Sequence, residues 1–213
     1  QSKELEESGR KKHEQMRMSA EFCKVMRKTE DEKASEKREG PYKKYYPNGQ
    51  LGLEVVYKNG EPQGTAKMYY ESGQLGGEAV REDGNPEWQL KEFYESGQVF
   101  AEFSSKNGKT EGLLKKYYAS GQLQYEESYV SGKLEGFRKT YYANGKLESD
   151  EFYRDGLQEG MAAVYYENGS LKSAGLFKNG KTEVPFRMYD MATDEDKEFQ
   201  RIMKGMGGGD NVR

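Results

Sequence analysis

Few residues in this chain could do acid, base or nucleophilic chemistry at neutral pH. The 213 residues include one histidine, His13, and one cysteine, Cys23. A metal cage, a disulfide framework or a Cys/His nucleophile pair each needs more than this, so none can be assembled within the chain. His13 follows Lys11 and Lys12 and reads as solvated surface. Cys23 reads as a half-buried helix residue, and Ala20-Glu21-Phe22 before it does not resemble a lipobox. The remaining chemistry-bearing residues come in columns. Glutamates and lysines recur at a fixed step, which reads as ion-paired surface rather than as acid/base dyads. The glycine turns cradle no phosphate, because no Gly-rich loop opens a helix beside a lysine. The expectation is a protein that is not an enzyme and uses no metal or cofactor.

The elements that carry these columns follow from internal repetition. Tyr45-Tyr46-Pro47-Asn48-Gly49-Gln50-Leu51 returns as Tyr69-Tyr70-Glu71-Ser72-Gly73-Gln74-Leu75 and as Phe93-Tyr94-Glu95-Ser96-Gly97-Gln98-Val99, and again from Tyr117, Tyr141 and Tyr165. The step is about 24 residues, the span of one supersecondary unit. A second turn signal keeps the step: Asn59-Gly60, Asp83-Gly84, Asn107-Gly108, Ser131-Gly132, Asp155-Gly156 and Asn179-Gly180. A third column, Gly40, Gly64, Gly112, Gly136 and Gly160, opens the units, with Trp88 and Val184 as exceptions. Asn-Gly and Asp-Gly tolerate positive φ at both turn centres and so select tight hairpins. Each unit is therefore predicted to be one β-hairpin.

A two-residue turn at Asn48-Gly49 would set Tyr46 opposite Leu51, Tyr45 opposite Gly52 and Lys43 opposite Glu54. Copied along the chain, the last pair becomes Lys67/Glu78, Lys91/Glu102, Lys115/Glu126 and Lys139/Asp150; in the sixth copy both charges vanish together, as Ala163/Ala174. Opposite charges across strands favour one register by about 0.2–1 kcal/mol per pair. Alternation then puts Tyr46, Leu51, Leu53, Val55 and Tyr57 on one face and the Lys/Glu ladder with Tyr45, Tyr69, Phe93, Tyr117, Tyr141 and Tyr165 on the other. Composition agrees with a thin structure: only 33% of residues are hydrophobic, and 17 residues are Tyr. The predicted fold class is an all-β repeat, a single-layer antiparallel hairpin array with short flanking α-helices.

The pattern G-x-x-K-x-Y-Y-x-x-G-Q-L, followed by E-x-x-Y-x-x-G, resembles the MORN-repeat variant of bacterial proteins, including those of the YwqK-type antitoxin family, from about Gly40 to Val184. The resemblance implies hairpin rows that act in protein interaction or scaffolding, some bacterial members being antitoxins or immunity proteins. The third unit departs from it: Trp88 replaces the opening Gly, and Arg81 and Ser105 replace the Tyr57-type aromatic. By parity Trp88, Leu90, Tyr94, Val99 and Phe103 share one face, while Phe93 and Phe100 share the other. A repeat that breaks its own pattern towards large apolar residues either packs against a flanking helix or receives a partner. Trp88, Leu90, Phe93, Tyr94, Phe100 and Phe103 are the expected partner-binding residues.

The organisation expected is a charged helical segment over 1–39, six repeats and a degenerate seventh over 40–189, a capping helix over 190–206 and a disordered tail over 207–213. Met18, Phe22, Val25 and Met26 give the first helix a narrow apolar stripe. Thr193 and Asp196 suit a capping box, and Gly205 ends the second helix. With 34 basic against 37 acidic residues and net charge −3, affinity for nucleic acid or anionic lipid has no electrostatic source. The expected partner is another protein, a toxin if the resemblance extends that far. Open strands also leave room for edge-to-edge self-association. The start at Gln1 and the near-absence of Cys favour an exported protein over a cytoplasmic one; the competing function is a passive scaffold of the bacterial cell envelope.

Overall fold

The computed structural model describes residues 38–82 and 85–188. The helices expected before residue 38 and over 190–206, the tail over 207–213, Asp83-Gly84 and Tyr189 lie outside the described residues. The strands are β1 (Gly40–Tyr45), β2 (Leu51–Lys58), β3 (Glu61–Tyr69), β4 (Leu75–Arg81), β5 (Glu87–Phe93), β6 (Val99–Lys106), β7 (Lys109–Tyr117), β8 (Leu123–Val130), β9 (Lys133–Tyr141), β10 (Leu147–Arg154), β11 (Leu157–Gln158), β12 (Gly160–Tyr165), β13 (Leu171–Lys178) and β14 (Lys181–Met188). The fold is an open, all-antiparallel β-sheet of 14 strands taken in chain order, with β11 beside β10 off that path. Two compact units divide the chain. The first runs to Leu123 and takes in Tyr129–Lys133; the second holds Gln124–Ser128 and the residues from Leu134.

The two turn columns fold differently. At Asn59-Gly60 both residues have positive φ, 54° and 76°, and Lys58 pairs with Glu61 across a two-residue loop. Asn107, Ser131, Asp155 and Asn179 repeat this geometry with their following glycines. At Asn48-Gly49 only the glycine is left-handed, at φ 85°. The Gly49 amide donates to the Tyr46 carbonyl at 2.9 Å, and the Tyr46 amide donates to the Gln50 carbonyl at 2.8 Å. This is a three-residue loop: a type I turn, for which Pro47 presets φ, followed by a left-handed glycine and a bulge. The two-residue turn expected there is thus corrected. Pairing slips between Lys44 and Tyr45, so Tyr45 faces Leu51 rather than Gly52. Beyond the slip Lys43 meets Glu54 as expected, because one bulge absorbs the one extra loop residue.

The opening glycines make a second bulge. Val56 pairs with Gln63 and Glu54 with Lys67, leaving Gly64, Thr65 and Ala66 opposite Val55. Gly64 takes φ 66° there. Trp88, at the equivalent position, is not among the positive-φ residues, and β4 and β5 pair from Gly77↔Glu92 to Val80↔Gln89 without a shift. The side-chain swap is compensated. Gly40 faces Tyr57, Gly136 faces Tyr153 and Gly160 faces Phe177, whereas Trp88 faces Ser105. Large meets small in either arrangement.

One sheet face of the first unit is more deeply packed than its composition suggested. Leu53, Val55, Ala66, Met68, Tyr70, Ala79, Trp88 and Leu90 form a buried cluster, with Tyr42, Tyr57 and Phe103 packed against it. The second unit has a smaller cluster of Ala163, Leu171 and Ala174 with Tyr165.

Candidate functional site

The ladder predicted from spacing is continuous in the first unit. Lys43 pairs with Glu54, Glu54 with Lys67, Lys67 with Glu78, Glu78 with Lys91, Lys91 with Glu102 and Glu102 with Lys115. Charge therefore alternates from strand to strand along one line. Lys91 Nζ lies 2.9 Å from Glu102 and Lys43 Nζ 3.9 Å from Glu54. The Lys91 hydrogen bond holds the Glu102 carboxyl below its ordinary range against the opposing effect of burial, and the same bond raises Lys91. In the second unit Lys139 pairs with Asp150, and Ala163 with Ala174. Burial, opposed by Lys139, raises the Asp150 carboxyl.

The tyrosine hydroxyls serve two tasks, both seen at Tyr69/Tyr70 and at Tyr141/Tyr142. The first tyrosine reaches back to the ladder: Tyr69 donates to Glu54 at 2.7 Å, Tyr117 to Glu102 at 3.0 Å and Tyr141 to Glu126 at 2.8 Å. Burial and the Glu54 bond push the Tyr69 phenol up to about 12, and burial with the Glu126 bond raises Tyr141. The second tyrosine reaches forward to the main chain of the next unit: Tyr46 donates to the Tyr69 carbonyl, Tyr70 to Phe93, Tyr94 to Tyr117 and Tyr142 to Tyr165, all at 2.6–2.8 Å. These seven tyrosines are thereby committed to joining repeats.

A shallow groove of about 380 Å³ opens on the ladder side of the first unit, where Glu78, Lys91, Glu102 and Lys115 line it with Val80 and Leu113. A smaller one, about 240 Å³, involves Lys43, Glu54, Lys67 and Val56. Val56, Val80 and Leu113 are 48%, 40% and 46% exposed, so this face offers accessible apolar contact beside its charges. The opposite face of the same strands is the buried cluster.

The six residues expected to bind a partner are placed differently from one another. Trp88 and Leu90 are each 3% exposed and belong to the core, with Phe103 packed against them. They are packing residues here, a correction to their reading as a presented surface. The Arg81 guanidinium lies 4.7 Å from the centre of the Trp88 ring and donates to the Pro62 carbonyl, which is how Arg81 and Trp88 jointly replace a glycine and an aromatic. Phe93 is half-buried. Phe100 meets Tyr94 edge-on at 5.1 Å and lies under Lys116 at 4.6 Å. The register shift between Glu92 and Phe93 breaks the alternation that had put Phe100 with Phe93.

Two constellations escaped the sequence reading. Glu39, Glu111, Glu135 and Glu159, each just before an opening glycine, accept the turn amides of Asn59, Ser131, Asp155 and Asn179 at 2.6–2.8 Å. An acid one residue ahead of the glycine column was the available signal. In the second unit Arg138 Nε donates to Glu127 at 2.9 Å, its guanidinium lies 3.7 Å from Glu151, and the Tyr153 hydroxyl donates to Glu151 at 2.6 Å. Glu127 and Glu151 continue the column of Val55, Ala79 and Phe103, while Arg138 continues that of Tyr42, Ala66 and Leu90.

Glycine turns at a fixed step, a bulge glycine and paired tyrosines that link consecutive hairpins define the unit. The MORN repeat variant matches residues 38–59, 62–79, 110–131, 134–155 and 158–179. The chain carries five MORN repeats of this variant type. The stretch 80–109 is not matched, and it contains Trp88, where the bulge glycine is lost. MORN repeats point to a repeat-based binding or scaffold module. No curated protein matches this chain. A crystal structure of TarM is 11% identical, covers 57% of this chain and 19% of TarM, and gives a TM-score of 0.27. A crystal structure of an S. aureus TarM mutant in complex with fondaparinux, alpha-GlcNAc-glycerol and UDP is 8% identical, covers 78% of this chain and 27% of that one, and gives 0.28. The chain thus spans about a quarter or less of the length of these two proteins.

Proposed function

We propose that the chain is a non-enzymatic protein-interaction module and that the ladder face of the first unit is its docking surface. One observation carries this reading: exposed Val56, Val80 and Leu113 border a groove lined by alternating charges, while the other face of these strands is occupied by their own packing. Aliphatic contact supplies affinity, and flanking charges fix register and reject wrong partners. The repeat resemblance supports a narrower form in which the bound protein is a toxin and inhibition comes from covering its active surface. The test is co-purification with the product of the adjacent reading frame, comparing the wild-type chain with V80D and L113D. Circular dichroism would first establish that both variants keep their strand content. Capture at least tenfold weaker in either variant is the expected result. Capture unchanged in both overturns the assignment to this face.

A further inference from the structure

The charge alternation of the ladder face, which follows from the repeat, carries a local two-fold symmetry about β4 and β5. From Lys43 to Lys115 the row holds seven charges in strict alternation, and the six from Glu54 to Lys115 have their midpoint between Glu78 and Lys91, on β4 and β5. A two-fold axis in the plane of that face, along the strands and through that midpoint, reverses these six charges onto themselves. Glu78 then faces Lys91 of a second copy, Lys67 faces Glu102, and Glu54 faces Lys115. Each of these contacts is between opposite charges, because the row alternates without a break and the axis falls between a Glu and a Lys. The neighbouring row on the same side obeys the same operation. Thr65, Val80, Gln89 and Ser104 are successive register partners. Reversal sets Thr65 against Ser104 and Val80 against Gln89, so hydroxyl meets hydroxyl. Exposed Val56 and Leu113, displaced by the two opening-glycine bulges, flank this row at opposite ends and exchange places.

From this self-complementarity we infer that the ladder face binds a second copy of this chain, face to face, through an isologous contact centred on Glu78 and Lys91. This rests on the ladder face being the docking surface and names its occupant. Six strands spaced ~4.8 Å apart, each contributing about seven residues of ~3.4 Å, offer roughly 700 Å² per copy, close to the ~800 Å² per partner of a stable interface. Isologous closure stops at two copies, because the same patch is used on both sides. The charges keep their partners within the chain, Lys91 with Glu102 among them, so docking adds partners without stranding any of them. Trp88 also contributes: by removing the bulge from β5 it leaves the central strand pair in uninterrupted register, where the axis passes.

Lys67 and Glu102 are not neighbours within one chain, so they separate intermolecular from intramolecular effects. The experiment is sedimentation velocity on the full chain at matched concentrations for wild type, K67E, E102K and an equimolar mixture of the two variants. In either variant alone like charges meet twice across the axis; in the mixture every such contact is again between opposite charges. The expected result is a wild-type dimer that weakens at least tenfold from 50 mM to 500 mM salt, weaker association of each single variant, and recovery on mixing. A wild-type chain that stays monomeric at 100 μM overturns the inference, as does growth beyond the dimer or a dimer indifferent to both charge reversals. A monomer that still loses its heterologous partner on L113D would overturn this inference alone and leave the interaction module standing. Should variant misfolding obscure the reversals, the salt dependence of the wild-type dimer decides by itself, and a salt-independent dimer overturns the assignment.

Discussion

Tyrosine does two jobs in this protein, and they can be told apart at a single residue. The Tyr69 hydroxyl donates to Glu54, and burial together with that bond raises its pKa to about 12. A phenol whose folded pKa lies above its unfolded value of about 10 stabilises the protein fully below pH 10, and the contribution disappears as pH rises towards 12. Stability measured by urea denaturation should therefore fall between pH 10 and 12, and Y69F should flatten part of that decline. At pH 7 the same substitution is expected to cost about 1 kcal/mol, the worth of one hydrogen bond to a partly exposed acceptor. A decline as steep in Y69F as in wild type would show that other groups govern the alkaline limb.

The hairpin is the scale at which the third unit departs from its neighbours. Trp88 opposite Ser105 exchanges the sizes found at Gly40 opposite Tyr57, and circular dichroism in urea can test whether the exchange is coupled. W88G alone should cost about 3–5 kcal/mol through the cavity it leaves. S105Y alone should cost about 1–3 kcal/mol through overpacking. The double variant restores the ordinary repeat pair and should be less destabilised than the sum by at least 0.5 kcal/mol; strict additivity would refute the compensation. G64A should cost about 1–2 kcal/mol for a side chain held at positive φ, although space around Gly64 is open.

How far the sequence could be read also depends on this scale. The ladder register was legible because Lys43/Glu54 and its copies lie beyond every bulge and report the net pairing. The loop at Asn48-Gly49 was misread because Asn-Gly signals a two-residue turn unless, as here, a residue suited to a type I turn precedes it. Trp88 and Phe103 were visible as exceptions, but periodicity gives only the face on which a residue lies. Which face is packed and which is left open depends on neighbours several strands away.

Across the whole molecule, the units differ in what fills their inner columns. The first places Val55, Ala79 and Leu90 where the second places Glu127, Glu151 and Arg138. In repeat proteins each unit leans on its immediate neighbours, so damage stays local. R138M leaves the 10%-exposed Glu127 side chain without this partner, which should cost about 2–3 kcal/mol. Amide exchange should accelerate at least tenfold over residues 134–154 while residues 53–90 keep their protection. Equal acceleration in both regions would mean that the chain unfolds as one cooperative body.

The forward reach of Tyr46, Tyr70, Tyr94 and Tyr142 has a further consequence. Donor and acceptor are separated by 23 residues, so the bond always joins one unit to its successor. Excising a whole 24-residue block between two linked units would hand the upstream hydroxyl an equivalent carbonyl, whereas a cut of any other length would leave it searching. The array can therefore be shortened or lengthened in whole units, and what changes is reach rather than construction.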